Sequence, residues 1–160
     1  MRILVISDTH GNEQGLLQAV EEQPNARAVI HLGDGVREAQ SAADRFPGLP
    51  FYLVRGNCDW ASTSAGLLYA REETFAGKRI FFTHGHLYEV KFDLYRAACA
   101  ARERQADVLL FGHTHRAEIT WDDGLLLFNP GSLSGGADNT YGTLDITPAG
   151  IVPNILRLRR

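Results

Sequence analysis

The sequence has few cysteines, no long apolar run and little net charge. Its two cysteines, Cys58 and Cys99, lie far apart and form no CxxC motif, so neither a disulfide framework nor a zinc ribbon is implied. No apolar run approaches the length of a membrane span, and the short run at residues 3–6 cannot form a secretory signal. A formal net charge of −3 argues against bulk binding of nucleic acid or of an anionic membrane. We therefore expect a cytoplasmic protein.

The composition is that of an ordinary soluble globular domain. The chain has 160 residues, of which 44% are hydrophobic and 22% are charged, and it is long enough to bury a core. No internal repeat, low-complexity segment or linker divides it. We therefore expect residues 1–160 to form a single domain. A GxSxG motif is also missing, so nothing in the sequence indicates a nucleophilic serine.

The first third of the chain alternates buried strands with amphipathic helices. The apolar, β-branched run at residues 2–7 predicts a strand that is buried on both faces, residues 27–32 predict a second buried strand, and residues 51–54 predict a third strand. Between them, residues 13–22 predict a helix with one apolar side and residues 37–46 a second helix. This order indicates parallel strands joined by right-handed crossovers.

The rest of the chain is richer in strands. Residues 67–75 and 78–83 predict a hairpin, residues 92–104 a helix, and residues 107–111 a short buried strand. Further strands are predicted at residues 117–121, 125–128, 140–146 and 151–158. The expected fold is α/β, with two mixed β-sheets packed face to face and helices outside.

Five short polar motifs each follow a predicted strand. They are Asp8-Thr9-His10-Gly11-Asn12, Gly33-Asp34, Gly56-Asn57-Cys58-Asp59, His84-Gly85-His86 and Gly112-His113-Thr114-His115. Ligands of open α/β sheets bind at the carboxyl ends of the strands, so we expect the motifs to converge. Residues two apart in an extended chain point to one side, which would direct Asp8 and His10 to the same cation. Taken singly, each motif could equally be a turn or a surface histidine.

The motif side chains suit two metal ions. Asp34 can bridge two cations that lie roughly 3.5–4 Å apart, and histidine and asparagine supply neutral ligands. With the two aspartates and a bridging hydroxide, the site would keep about one positive charge, which favours an anionic phosphoester. The ions would lower the pKa of the shared water and so generate the nucleophile. A nitrogen and oxygen ligand set suits Mn²⁺, our first choice, and also Fe²⁺, Co²⁺, Ni²⁺ and Zn²⁺.

The ordered motifs resemble those of the calcineurin-like metallophosphoesterase superfamily, in particular its small bacterial and archaeal phosphodiesterase branch. The resemblance spans residues 8 to 115 and implies a four-layer αββα sandwich, the metallo-dependent phosphatase-like fold. It implies that one metal ion is bound by Asp8, His10, Asp34 and His115. It implies that the other ion is bound by Asp34, Asn57, His84 and His113.

One position departs from the superfamily pattern. Cys58 stands where relatives have a histidine that protonates the leaving oxygen and is oriented by the next acid, here Asp59. A thiol is a weak hydrogen-bond donor and a poor general acid at neutral pH. The resemblance therefore favours phosphodiesters with good leaving groups and gives catalytic roles to Asp34, Asn57, Cys58 and Asp59. Alternatively, Cys58 is only a small packed turn residue.

Three roles stay open between chemistry and structure. His86 could contact the substrate phosphate or donate a proton, or it could be a surface histidine. Asn12 could bind phosphate, cap the helix that follows, or do both. His31 is expected inside the core or behind a ligand that it orients.

The leading function is hydrolysis of a small phosphodiester through a metal-bridged hydroxide. The alternative is a metal-binding scaffold with little or no activity, because the same fold resembles the scaffold subunit of the eukaryotic retromer complex. Thiol catalysis through Cys58 lacks a partner cysteine. The sequence leaves the oligomeric state open, and apolar strands near the C-terminus offer one route to a homo-oligomer.

Overall fold

The computed structural model describes residues 1–136 and 138–159. Its strands are β1 (Arg2–Ile6), β2 (Ala26–His31), β3 (Phe51–Leu53), β4 (Ala70–Phe75), β5 (Lys78–Thr83), β6 (Val108–Phe111), β7 (Ala117–Asp122), β8 (Leu125–Pro130), β9 (Thr140–Thr147) and β10 (Gly150–Arg157). Its helices are α1 (Glu13–Glu21), α2 (Val36–Arg45), α3 (Ala61–Ser64) and α4 (Tyr95–Glu103), with a single 3₁₀ turn at His86–Tyr88.

The strands form two mixed five-stranded sheets. The first has the order β10-β9-β1-β2-β3, in which β1, β2 and β3 are parallel and the β9–β10 hairpin is antiparallel to β1. The second has the order β4-β5-β6-β8-β7, in which β5, β6 and β8 are parallel and both edge strands are antiparallel. The predicted α/β fold with two mixed sheets is therefore confirmed.

Alternation of side chains along each strand builds four layers. Ile3 and Val5 of β1 face the second sheet and pack with its Phe82 and Phe128 in one buried cluster. The intervening Leu4 and its neighbours on that face pack against α1 and α2. Residues on the opposite face of the second sheet pack against α4. The order is helices, sheet, sheet, helix, which is the αββα sandwich.

Several element boundaries differ from the sequence prediction. The strand predicted from residue 67 begins at Ala70, because the carbonyl oxygen of Leu68 instead accepts the N–H of Arg55, two residues beyond the end of β3. The helix predicted from residue 92 begins at Tyr95, whose N–H is bound by the side chain of Asp93. The short helix α3 and the 3₁₀ turn were not predicted. None of the helices within residues 1–136 and 138–159 is long and apolar enough to cross a membrane.

The two sheets approach closely where β9 crosses β8. A Cβ atom placed on Gly142 would lie 2.4 Å from Cζ of Phe128, a ring that is fully buried in the core. We predict that Gly142→Ala lowers the free energy of unfolding by about 1–3 kcal/mol, since the core has no room for one more methyl group. Urea unfolding measures this, with Gly48→Ala as the control, because a Cβ there meets no atom within 4 Å. Equal stability of the two variants would contradict this packing.

Candidate metal centre

The five motifs lie in loops at the carboxyl ends of β1, β2, β3, β5 and β6. Backbone hydrogen bonds join them: the N–H of Asp8 donates to Gly33 O (3.1 Å), and the N–H of Gly112 donates to His84 O (3.1 Å). The N–H of His113 donates to Oδ2 of Asp8 (3.1 Å) and so links the two sheets. The predicted convergence of the motifs is therefore observed.

Two pairs of imidazoles face each other at the centre of these loops. Nε2 of His10 lies 3.3 Å from Nε2 of His115, and Nε2 of His84 lies 3.2 Å from Nδ1 of His113. The Nδ1 of His84 contacts the carbonyl oxygen of Leu32 at 2.9 Å. An N–H at Nδ1 that donates to this carbonyl leaves the lone pair of Nε2 directed into the centre.

Each aspartate divides its two oxygens between the protein and the centre. Oδ2 of Asp8 accepts from Ser7 Oγ (2.5 Å) and from the N–H of His113, whereas Oδ1 is buried without a hydrogen-bond partner. That bare Oδ1 lies 3.1 Å from Nε2 of His115 and 3.7 Å from Nε2 of His10. Asp8 is thus held by one oxygen and offers the other.

Asp34 repeats this division between the two imidazole pairs. Its Oδ1 accepts the N–H of Cys58 (2.7 Å). Its Oδ2 lies 3.3 Å from Nε2 of His84 and 3.8 Å from Nε2 of His10. Oδ1 of Asn57 also lies 3.0 Å from Nε2 of His84. Asp34 is therefore the carboxylate that reaches both histidine pairs.

This arrangement fits metal ions. The groups Asp8, His10 and His115 and Asp34, His84 and His113 each bring their ligand atoms within 4.8 Å of one another. Carboxylate oxygens and imidazole nitrogens that converge in this way attract a cation, and the unpartnered Oδ1 of Asp8 would otherwise be a costly buried acceptor. The residues present can therefore hold the metal ions that the sequence predicts.

The charges of the site shift the pKa values of its members. Burial raises the pKa of Asp34, but hydrogen bonding and charge from His84 outweigh burial and hold it well below its usual range. Burial lowers the pKa of His84, but contact with Asp34 and the charge of Asp8 outweigh burial and raise it. His113 has a pKa of about 4, because burial and the neighbouring His84 oppose a further positive charge. His113 is thus neutral at physiological pH, the form that binds metal.

Most of the converging residues have left-handed backbones. The φ angles of Asp8, His10, Asp34, His113 and His115 lie between 43° and 67°. Non-glycine residues seldom adopt this region, and such residues cluster at functional sites. The expectation that Asp8 and His10 share a side because the chain is extended was therefore wrong in its reason. A sharp turn of the backbone brings their side chains together.

The loops approach too closely for any side chain at Gly56. A Cβ on this residue would lie 2.6 Å from the backbone nitrogen of Asp34 and 2.1 Å from its Oδ1. A larger residue would push apart the loops that follow β2 and β3. The glycine of the third motif thus serves close approach of two backbones.

Asp59 holds the same two loops together. Its carboxylate accepts four backbone N–H groups, those of Asp34 (2.8 Å), Gly35 (2.9 Å), Val36 (2.9 Å) and Gly56 (2.7 Å). It therefore caps the start of α2 and fixes the backbone of Asp34. These contacts make Asp59 a positioning residue, and a direct part in catalysis stays a prediction.

Cys58 is exposed and its thiol lies beside the carboxylates. Desolvation, and then the hydrogen bond to and charge of Asp34, raise the pKa of Cys58 to about 11. The side-chain amide of Asn57 contacts its Sγ at 3.3 Å. A thiol with this pKa stays protonated at neutral pH, and its Sγ lies within 4.8 Å of ligand atoms of His10 and Asp34. The neutral thiol is a weak hydrogen-bond donor.

Asn12 and His86 lie beside the centre and differ in their hydrogen bonding. Asn12 caps α1 by accepting the N–H of Gly15 (3.0 Å), as one of its alternatives predicted, and donates to Leu133 O (2.7 Å). His86 is half-buried with its ring centroid 5.3 Å from that of His84, and its Nδ1 is buried without a partner. Burial and the charge of His84 lower the pKa of His86. Substrate contact by either residue stays a prediction.

His31 braces the first two motif loops. It is fully buried, and burial lowers its pKa to about 4. Its Nδ1 accepts the N–H of Gly33 (3.2 Å), and its Nε2 lies 3.3 Å from Oγ1 of Thr9. This agrees with the expectation of a buried residue behind the ligands.

The sequence interpretation missed Arg55 and Tyr69. The guanidinium of Arg55 stacks over the Tyr69 ring at 4.9 Å, and that ring lies 5.4 Å from the ring of His86. Nε of Arg55 is buried and has no hydrogen-bond partner among the residues that the structure describes. The position of Arg55, directly before the third motif, was the available signal.

Comparison with known proteins gives the family. The profile of the calcineurin-like phosphoesterase superfamily domain matches residues 1–148. The chain belongs to this superfamily. Probable metallophosphoesterase YsnB of Bacillus subtilis is 38% identical over 136 residues, which cover 83% of this chain and 75% of that protein. Phosphodiesterase YfcE of Escherichia coli K12 is 30% identical in an alignment that covers 91% of this chain and 88% of that protein.

Solved structures agree with the fold. A Streptococcus pneumoniae protein described as a predicted phosphoesterase superposes with a TM-score of 0.81 at 26% identity, covering 98% of this chain and 88% of its own. Vps29 from Entamoeba histolytica, complexed with zinc, superposes with a TM-score of 0.71 at 20% identity, covering 99% and 100%. The second likeness shows the fold alone. The resemblance inferred from the motifs is confirmed.

We predict that Asp59→Asn lowers the free energy of unfolding by about 1–3 kcal/mol, because a neutral amide has one oxygen and leaves backbone N–H groups unsatisfied. Urea unfolding measures this loss, and titration calorimetry with Mn²⁺ should show weaker metal binding because Asp34 is no longer fixed. Asp44→Asn, at an exposed position of α2, is the matched control. Unchanged stability and metal affinity in Asp59→Asn would contradict the positioning role.

Proposed function

We propose that this chain is a metal-dependent phosphodiesterase that works with two divalent cations. The observation that carries the proposal is the pair of carboxylate oxygens, Asp8 Oδ1 and Asp34 Oδ2, that face the imidazoles of His10, His84 and His115, with His113 beside His84. Membership of the superfamily and the names of the relatives support phosphoester hydrolysis. The name of YfcE supports phosphodiesters in particular.

The proposed ligands form two sets that share Asp34. One set is Asp8, His10, Asp34 and His115, and the other is Asp34, Asn57, His84 and His113. The short distances from Oδ2 of Asp34 to both His10 and His84 support the sharing. The ligand set contains nitrogen and oxygen atoms only, which suits Mn²⁺ first and also Fe²⁺, Co²⁺, Ni²⁺ or Zn²⁺.

Bound divalent cations supply a water nucleophile of lowered pKa and neutralise charge on the phosphoryl oxygens. The chain's own contribution is to keep this charge positive overall. Asp8 and Asp34 are the only anionic members of the proposed ligand set, so they cancel about half of the charge of two divalent cations. An anionic phosphodiester is then attracted to the centre. The contact of the His84 Nδ1 with the carbonyl oxygen of Leu32 orients the His84 ring, and the backbone N–H of His113 joins its loop to Asp8 of the opposite sheet.

We predict that metal removal abolishes hydrolysis of bis(p-nitrophenyl) phosphate and that Mn²⁺ restores it. Asp34→Asn should lower kcat/KM by about a hundredfold or more and reduce the number of bound ions, since it removes the shared ligand. Elemental analysis of the purified protein and the chromogenic assay measure both effects. Asp44→Asn is again the control. Full turnover after chelation, or two bound ions with full activity in Asp34→Asn, would contradict the proposal.

The thiol of Cys58 favours diesters with good leaving groups, because a group of pKa about 11 is a poor proton donor at neutral pH. We predict that Cys58→His raises the ratio of phosphomonoester to phosphodiester hydrolysis roughly tenfold or more. Cys58→Ala, which removes the thiol and adds no acid, should leave the ratio low. Assays with p-nitrophenyl phosphate and its diester measure the ratio. An unchanged ratio in Cys58→His would show that Cys58 has no part in leaving-group chemistry.

The second candidate is a metal-binding scaffold. The likeness of the fold to zinc-bound Vps29 favours it. Metal bound in whole-number stoichiometry, without turnover of several diesters in the presence of Mn²⁺, Co²⁺, Ni²⁺ or Zn²⁺, would support the scaffold over the enzyme.

A further inference from the structure

A cleft of about 450 Å³ extends from the candidate metal centre. His10, Asp34 and Cys58 line it together with three residues that the proposed chemistry does not use, Arg37, Glu38 and Trp60. Clefts of this size hold small organic ligands. A phosphodiester at the metal centre therefore has room in this cleft for one of its two substituents.

Trp60 presents a flat aromatic surface to this cleft. It is 79% exposed, which is unusual for so large an apolar side chain. Its backbone is fixed, because its carbonyl oxygen accepts from the N–H of Thr63 and from both the N–H and the hydroxyl of Ser64. The preceding residue, Asp59, is anchored by four backbone N–H groups. A fixed backbone that carries an exposed indole is a ready stacking surface for a planar ring.

Arg37 and Glu38, in the first turn of α2, give the cleft polar groups of both kinds. Arg37 is exposed and makes no ion pair within residues 1–136 and 138–159. Glu38 is only 6% exposed, yet no donor in the described parts of the chain binds its carboxyl oxygens. A carboxylate acceptor that lines the cleft suits the hydroxyl groups of a sugar, and it disfavours a second phosphate at the same place.

We propose that this cleft binds the nucleoside part of a nucleotide phosphodiester. The base stacks on Trp60, and Glu38 accepts hydrogen bonds from ribose hydroxyls. The inference rests on the proposed function for the position of the phosphate. It goes beyond that function because it names the substrate class and assigns Trp60 and Glu38 as specificity residues.

The two tryptophans of the chain give a direct test. Trp121 on β7 is 53% exposed and does not line the cleft. Trp121→Phe therefore leaves Trp60 as the only tryptophan, and Trp60→Phe is the matched reverse. With Mn²⁺ present and excitation outside the adenine absorption band, adenosine 5′-monophosphate should quench the fluorescence of Trp121→Phe saturably. Ribose 5-phosphate and inorganic phosphate should leave the fluorescence unchanged.

The same probe gives an affinity test. Calorimetry should show that Trp60→Ala weakens binding of adenosine 5′-monophosphate about tenfold, while Trp121→Ala leaves it unchanged. The proposal is overturned if Trp60 is not quenched, if Trp60→Phe is quenched equally, or if ribose 5-phosphate binds as tightly as the nucleotide. The last result would mean that the cleft holds only a sugar phosphate.

A second comparison tests Glu38. The wild-type protein should bind adenosine 5′-monophosphate about tenfold more tightly than its 2′,3′-dideoxy form, and Glu38→Ala should lose this preference. The two-ligand comparison on the unchanged protein does not depend on the folding of the variant. Equal affinity of the two nucleotides would remove the ribose contact from the proposal.

Fluorescence and calorimetry are independent of turnover. If the protein binds the nucleotide but hydrolyses no diester, the nucleoside-binding cleft is supported and the proposed phosphodiesterase activity is contradicted. If the protein hydrolyses bis(p-nitrophenyl) phosphate without binding the nucleotide, the phosphodiesterase activity is supported and the nucleoside-binding cleft is contradicted.

Discussion

The site depends on the hydrogen bonds that backbone N–H groups donate to one carboxylate oxygen of Asp8 and one of Asp34. Oδ2 of Asp8 accepts hydrogen bonds from the N–H of His113 and from the hydroxyl of Ser7, and Oδ1 of Asp34 accepts one from the N–H of Cys58. The second oxygen of each carboxylate is thereby fixed toward the imidazoles. A carboxylate free to rotate would lose entropy on meeting a cation, and these two have already lost it in folding.

The rest of the molecule serves to place these backbone donors. Parallel strands in both sheets deliver five loops to one region, and face-to-face packing of the sheets brings Asp8 within reach of His113. Left-handed residues turn the loops sharply, and Asp59 ties the loop after β3 to the start of α2. Backbone strain of this kind persists only where the surroundings determine it, and the tightly packed core supplies that constraint.

The sequence predicted the layers and the converging motifs because both follow from local patterns. Runs such as residues 2–7 report burial on two faces, and polar residues directly after them report the strand ends. The four hydrogen bonds of Asp59 and the left-handed φ of Asp8 depend on contacts between loops distant in sequence, so no local pattern carries them. The exposure of Trp60 is likewise a property of the folded surface. Because local patterns do not carry such contacts between loops, the sequence suggested an extended chain at Asp8 and His10, where the backbone turns sharply.

The most direct test of the central claim is a crystal structure of the manganese-soaked protein with anomalous scattering. The account predicts two peaks roughly 3.5–4 Å apart. One peak should contact Oδ1 of Asp8, and both should contact Oδ2 of Asp34. A single peak, or ions bound elsewhere while the two oxygens keep no ligand, would contradict it.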